Sequence, residues 1–169
     1  LHPGGMVAPG FASIGTLTAG NFGQAPGSVY QVELASNGTG DRINVGGVAE
    51  LIGGSALQVV KADSGPYVLG TRYTVLTANG GISGTYVLTG DTQITAFLGF
   101  VAAYDPTNVY VDVLQNRSFA VAAQTSNQLN TAAALGTLPT SGPLALLACL
   151  SLPRSATAHR NDHSQPDPR

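Results

Sequence analysis

Apolar and polar residues alternate over most of the first 115 positions, and this pattern predicts a series of short β-strands. In residues 28–34, Tyr30, Val32 and Leu34 share one face, while a glutamine and a glutamate lie between them. A period of two is typical of a strand with one buried face. Further candidate strands lie at residues 16–18, 41–45, 48–51, 55–62, 73–77, 82–87, 94–100 and 109–114. The inward positions define a candidate core: Tyr30, Val32, Leu34, Ile43, Val45, Leu57, Val59, Tyr73, Val75, Val109, Val111 and Val113.

Short glycine-rich corners separate these strands, as in NGTG, VGG, IGG and NGG. Brief strands with tight corners can form a sandwich, a barrel or a solenoid. Units of strand, glycine corner and strand recur at roughly 20 to 25 residues, a spacing typical of stacked solenoid turns. Each turn of a solenoid buries its inward residues against its neighbours alone.

The pattern changes at residues 119–135, FAVAAQTSNQLNTAAAL, which predict a helix. The stretch has no glycine, proline or charge and is rich in alanine. Asn116 or Ser118 can cap its start, Gly136 can end it in the left-handed conformation, and Pro139 follows. A surface helix normally carries charges on its outer face. Two interpretations stay open here: a helix that covers the last solenoid turn, or a connector into another structure.

The composition of the chain argues against one class of function, nucleic-acid binding. The chain has 169 residues, 22 glycines, only 9% charged residues and a net charge of −2, so it lacks the basic surface that nucleic acids require.

We expect little order in residues 1–14. Because the chain begins with Leu1 and shows no signal peptide, we expect it to be cut from something longer. The apolar run at residues 144–150 is shorter than the about 20 residues of a membrane-spanning helix.

Candidate catalytic chemistry is sparse. Histidines occur only at His2, His159 and His163, outside the predicted folded body, so we expect no Ser-His-Asp or Cys-His site in that body. The stretch HRNDH has ligand types at close spacing, but it lies in a polar tail that we expect to be disordered and without a second shell. Cys149 is the only cysteine, which excludes an intrachain disulfide, and it has no basic neighbour that would activate its thiol.

The remaining motifs favour structural roles. Seven carboxylates are scattered along the predicted body, mostly at turns, where aspartate commonly accepts backbone hydrogen bonds: Glu33, Asp41, Glu50, Asp63, Asp91, Asp105 and Asp112. Two of them could form a glycosidase pair, but their spacing selects no pair. The glycine clusters match no nucleotide-binding motif, and Asn37-Gly38-Thr39 and Asn116-Arg117-Ser118 match the short N-glycosylation pattern. We therefore predict no catalytic, cofactor-binding or metal site, and no enzymatic activity.

Four motifs in a fixed order carry a family resemblance over residues 15–143. They are DRINV, YTVLTANGGISG, TNVYVDV and the helical stretch with its Asn-Gln pair, SNQLN. In this order they resemble the C-terminal passenger region of bacterial autotransporters, the type V secretion proteins.

The resemblance implies an all-β fold: the end of a right-handed parallel β-helix, or β-solenoid, followed by a short α-helical linker. It implies an autochaperone role, in which the last turns fold first at the outer surface of the cell. It implies two partners, the protein's own C-terminal outer-membrane β-barrel and the barrel assembly machinery, and no nucleic acid or cofactor. On this basis we expect a stem at 15–115, a linker at 116–143 and an aberrant or disordered tail at 144–169.

The chain departs from the family after LPTSGPLALLACLSLP, where linker and barrel strands would follow. The tail resembles the product of a wrong reading frame or a truncated gene. Two other functions stay open: the stem of an adhesin that attaches cells to surfaces, and a fragment of a β-helical hydrolase whose active site lies upstream.

Overall fold

A computed structural model of the chain describes residues 1–10 and 13–137 and consists mainly of short strands. The strands are β1 (Met6–Val7), β2 (Thr16–Ala19), β3 (Phe22–Gln24), β4 (Val29–Leu34), β5 (Arg42–Val45), β6 (Ala49–Leu51), β7 (Ala56–Lys61), β8 (Arg72–Ala78), β9 (Ile82–Gly84), β10 (Val87–Gly90), β11 (Leu98–Tyr104) and β12 (Asn108–Gln115). A short 3-10 helix (Phe119–Ala122) and α1 (Ser126–Gly136) follow them.

The first ten strands stack as a parallel β-solenoid of about three turns, which confirms the predicted fold class. One sheet has the order β1-β4-β7-β10, a second contains β2, β5 and β8, and a third has the order β3-β6-β9. Each turn of the chain therefore adds one parallel strand to each of three sheets. The later turns are longer than the expected 20 to 25 residues. The register partners show this, since Ala49 pairs with Ile82 and Ala56 pairs with Val87.

The solenoid interior is the hydrophobic core, and all twelve predicted core residues are buried in it. In β4, Tyr30, Val32 and Leu34 point inward between half-buried neighbours, as strand alternation predicts. Inward columns run through successive turns; Leu17, Ile43 and Leu76 are register partners in one of them.

The structure corrects several predicted strand boundaries. The strand expected at residues 82–87 is two strands, β9 and β10, because Gly84 adopts a positive φ of 83° that starts a solenoid corner. The strand expected at 94–100 begins only at Leu98, since Ile94 and Thr95 donate their backbone N–H groups to its carbonyl in a turn. Strands β1 and β3 were not predicted, and β1 lies inside residues 1–14, for which we expected little order.

The predicted helix at 119–135 is also two elements. The 3-10 helix begins after Ser118, whose hydroxyl accepts the Ala120 N–H, so this predicted cap is confirmed. A second start follows: the Gln128 side chain accepts from the backbone N–H of Thr125 at 3.1 Å, while the Thr125 hydroxyl accepts from that of Gln128. This reciprocal capping box begins α1. Gly136 is the last residue of α1, so its predicted role as a left-handed stop after the helix was wrong.

Candidate functional site: the capping hairpin

An antiparallel hairpin of β11 and β12 ends the parallel stack. Strand β12 pairs with β8 in antiparallel orientation, at the position that a parallel fourth-turn strand would occupy. We call β11, β12 and their connecting turn the capping hairpin. Its turn is organised by Asp105, whose Oδ1 accepts the backbone N–H groups of Thr107 at 2.8 Å and Asn108 at 2.7 Å. Aspartate favours such turns because its short carboxylate reaches the N–H two residues ahead.

The inner face of β12 closes the core. Val109, Val111 and Val113 are fully buried there. The register of β12 against β8 shifts between Val109 and Tyr110, which leaves Val75 as an extra residue on β8. This β-bulge allows Val75 and Leu76, adjacent in sequence, to be buried together.

Aromatic residues join the capping hairpin to earlier turns. Phe100 of β11 lies edge-on to Tyr67 and Tyr73, with ring centroids 5.3 and 6.2 Å apart. The Tyr67 hydroxyl donates to the Leu34 carbonyl at 2.6 Å, and the Tyr73 hydroxyl donates to the Ala35 carbonyl at 2.8 Å. Burial raises the pKa of Tyr73 to about 12. Tyr67 and Tyr73, which contact Phe100 of the capping hairpin, are thus hydrogen-bonded to the backbone at the end of β4.

The outer face of the hairpin carries a bidentate ion pair. Arg72 of β8 donates to both carboxylate oxygens of Asp112 on β12, at 2.8 and 2.7 Å. The Arg72 guanidinium also lies 4.5 Å from the ring centroid of Tyr110, whose hydroxyl donates to Asp105 at 2.7 Å. That hydroxyl, together with the Thr107 N–H, holds the pKa of Asp105 well below its usual range. The planar guanidinium thus pairs with a carboxylate and stacks on an aromatic face at once.

Hydrogen bonds extend this contact across three strands. The amide of Asn108 donates to Asp105 at 3.0 Å, and its oxygen accepts from the Thr77 hydroxyl at 2.8 Å. The Thr77 hydroxyl in turn accepts from Arg42 of β5 at 2.7 Å. The capping hairpin is therefore connected on its outer face to β8 and, through Thr77, to β5.

Asp41, Asp63 and Asp91 also accept backbone N–H groups, as the sequence predicts for aspartates at turns. Asp63 and Asp91 lie where the chain leaves the sheet of β1, β4, β7 and β10. Asp63 accepts the Ser36 N–H at 3.1 Å, and Asp91 accepts the Lys61 N–H at 3.2 Å. Each bond joins one turn to the turn before it.

Asp41 is the buried member of this group. It accepts the N–H groups of Gly15 at 2.7 Å and Glu33 at 2.9 Å. Burial raises the pKa of Asp41, while these two backbone hydrogen bonds oppose the shift.

Open cavities lie between turns in the part of the chain that the structure describes. One of about 270 Å³ is lined by Glu50, Ile82 and Pro106 among others, and one of about 420 Å³ by Lys61, Asp63 and Asp91 among others. Within the described ranges, His, Cys, Asp and Glu form no group of three that could hold a metal ion.

Among the described residues singled out in the sequence, Asp63 and Asp91 line the same cavity, and Asp41 accepts the backbone N–H of Glu33. His2 is exposed in the first turn, while His159, His163 and Cys149 lie outside the described residues. Asn37 is exposed at a corner, where its side-chain oxygen accepts from Thr39. Pairwise contacts of the capping hairpin, such as Arg72 with Asp112, were not predicted, because forty positions separate the two residues.

No protein-family model matches the chain, and no curated protein matches it either. Over residues 1–10 and 13–137, no helix combines the length and the apolar character that crossing a membrane requires. What the chain does must therefore be inferred from its residues and their geometry.

Proposed function

We propose that this chain is the folding and secretion stem of a bacterial autotransporter passenger, which the intact protein displays at the outer surface of the cell. The observation that carries the proposal is the order of three parts: a parallel solenoid, an antiparallel hairpin that closes it, and a helix that leads away. The family resemblance of residues 15–143 implies two of these parts in the same order, a parallel β-solenoid followed by a helical linker.

The capping hairpin is suited to act as a folding nucleus. Val111 and its two neighbouring valines bury its inner face, and the pair of Arg72 with Asp112 fastens its outer face. Because solenoid turns interact only with their neighbours, a stable terminal unit can template the turn beside it. If the C-terminal turns emerge first, as the resemblance implies, this unit folds outside the cell and opposes backward sliding.

The helix α1 is suited to connect the stem to a barrel. Its described side chains carry no charge, and among them only Ala132 is buried. It packs mainly on the preceding 3-10 helix rather than on a sheet. These features favour a connector over a helix that covers the last turn.

The partners in the intact protein would be its own C-terminal barrel and the barrel assembly machinery. An adhesin or hydrolase activity would belong to residues upstream of this stem.

The proposal is tested by fusing the chain, through its helix, to an autotransporter barrel and measuring surface exposure and protease resistance on intact cells. We expect Val111→Asp to abolish the resistant surface passenger, because it buries an unpaired charge in the nucleus. Val87→Asp is the matched control, since Val87 is 54% exposed on β10 and we expect a charge there to remain solvated. Unchanged resistance in Val111→Asp contradicts the folding role, and an unexported wild-type fusion contradicts the secretion role.

A further inference from the structure

Residues 35–39 form a short loop at the corner between β4 and β5. Its base is closed by an antiparallel bridge of Leu34 with Gly40. Within the loop, Gly38 adopts a positive φ of 90°. Hairpin loops of three residues commonly need a glycine in this left-handed conformation. The loop is thus a tight hairpin with Asn37 at its tip.

The loop lies within the stack rather than at one of its ends. Strand β4, which precedes it, pairs with β1 on one side and with β7 on the other. Asp63 of the next turn accepts the Ser36 N–H at 3.1 Å, which ties the loop to that turn. Residues 37–39 are nevertheless exposed. Because both sides of β4 are occupied within the chain, this exposure does not depend on what precedes Leu1.

The exposed tip carries the acceptor pattern for N-linked glycosylation, Asn-Gly-Thr at residues 37–39. The Asn37 Oδ1 accepts the Thr39 backbone N–H at 3.0 Å and the Thr39 hydroxyl at 2.6 Å. In the described part of the chain, the Asn37 Nδ2 donates to no partner. A Cβ added at Gly38 would meet only the Thr71 methyl group, at 3.9 Å. The amide nitrogen is therefore free and the space beside it is open.

The second acceptor pattern, at residues 116–118, has the same chemistry but is occupied structurally. The Asn116 Nδ2 donates to the Gln93 Oε1 at 3.2 Å, and the Asn116 Oδ1 accepts from the Gln93 Nε2 at 3.3 Å. A Cβ added at Gly99 would collide with that Nδ2, so the nitrogen packs against the backbone of β11. The Ser118 hydroxyl caps the 3-10 helix. A sugar on Asn116 has no room in the folded chain.

We propose that Asn37 is a site of N-linked glycosylation, and that its donor is a sugar activated as a diphosphate ester. In the transfer, the Asn37 Nδ2 forms a bond to the anomeric carbon of the sugar. The bond from that carbon to the phosphate oxygen breaks, and the diphosphate leaves with the bonding electrons. One Nδ2 proton passes to a base of the transferase, an asparagine glycosyltransferase specific for Asn-x-Ser/Thr.

The modification is compatible with the folded solenoid. The two hydrogen bonds of the Asn37 side chain use its oxygen and survive substitution on its nitrogen. A sugar at this corner would lie in solvent, and it would add hydrophilic surface to a chain with only 9% charged residues. The site goes beyond the proposed function and does not depend on it.

The test incubates the folded 169-residue chain with UDP-glucose and a soluble asparagine glucosyltransferase specific for the Asn-x-Ser/Thr pattern. We expect the intact mass to rise by a single hexose and peptide mapping to place that hexose on Asn37. A parallel incubation with a lipid-linked oligosaccharide and an oligosaccharyltransferase shows which class of donor serves the site. A short peptide with the acceptor pattern confirms that each transferase is active.

Variants separate the acceptor from its surroundings. Asn37→Gln should abolish the gain in mass, and so should Thr39→Val, which keeps the shape of the side chain and removes the hydroxyl that the pattern requires. Thr39→Ser keeps a hydroxyl and should still accept the sugar. The matched control is Asn116→Gln, which should gain a hexose as the wild type does. Far-ultraviolet circular dichroism of each variant separates loss of the acceptor from loss of the fold.

A wild-type chain that gains no sugar from either donor, while the control peptide does, overturns the proposal. A sugar that maps to Asn116, alone or together with one on Asn37, overturns the structural argument that distinguishes the two patterns. An Asn37→Gln variant that folds and still gains a hexose overturns the proposal too, because the acceptor is then another residue.

Discussion

The contribution of the capping hairpin to stability can be measured with Val111→Ala. Val111 is fully buried and lies between Ala102 of β11 and Tyr73 of β8 in the sheet register. The change removes two methyl groups, worth about 0.8 kcal/mol each in transfer free energy. Closely packed neighbours on both sides prevent full collapse of the cavity, which raises the expected loss to about 2–3 kcal/mol.

The matched control is Val87→Ala, the same chemical change at a side chain that is 54% exposed on β10. It should cost no more than about 0.5 kcal/mol. Urea unfolding of both variants, followed by circular dichroism and by tyrosine fluorescence, measures the difference. With a slope of about 2 kcal/mol per molar urea, Val111→Ala should lower the midpoint by about 1–1.5 M.

Equal losses in the two variants would refute the reasoning, because burial against β8 would then contribute nothing specific. A loss below about 0.5 kcal/mol for Val111→Ala would refute it as well, because such a value is typical of an exposed site. Agreement between the two optical probes tests whether unfolding is a single cooperative transition, which the comparison of free energies requires.

Two further predictions concern charge and pH. Because burial raises the pKa of Tyr73 to about 12, the folded state holds its proton more tightly than the unfolded state does; stability should therefore fall as pH rises from about 10 to 12, and Tyr73→Phe should reduce that fall in urea titrations. A fall of equal size in Tyr73→Phe would show that other groups cause it. For the pair of Arg72 and Asp112, whose side chains are 56% and 11% exposed, a double-mutant cycle with Arg72→Gln and Asp112→Asn should give a favourable coupling that weakens in added salt. A coupling that does not respond to salt would contradict a screened, partly exposed ion pair.

Strand alternation was the most informative sequence signal. It placed β4, β5, β7 and β12 close to their observed bounds, and every predicted core residue is buried. This succeeds because one face of each strand meets the same apolar interior, whatever turn the strand belongs to. The two strands that were not predicted, β1 and β3, have two and three residues, which is too short for an alternation of apolar and polar residues to be recognised.

The start of α1 is marked by a local signal in the sequence. Thr125 and Gln128 have the spacing of a capping box, and they divide the predicted helix at residues 119–135 into two elements. The composition of the stretch indicated helix correctly, while the position of its start depended on one reciprocal pair of hydrogen bonds.

The antiparallel direction of β12, by contrast, was decided by tertiary structure alone. Its alternation is the same whether it runs parallel or antiparallel to β8, so the sequence pattern predicts burial and not direction. The bulge at Val75 is equally invisible, because it depends on the partner strand, and it is the reason that Leu76 was absent from the predicted core.

The sequence by itself thus determined the period of the strands, their inward residues and the glycine corners between them, because these follow from local backbone geometry. Only the tertiary structure decided which strands are neighbours, where the parallel stack stops and which polar side chains meet. Contacts such as Arg72 with Asp112, or Arg42 with Thr77, join residues far apart in the chain, and no local pattern encodes them. They depend on the register that stacking imposes, since each turn is positioned by the turn beneath it.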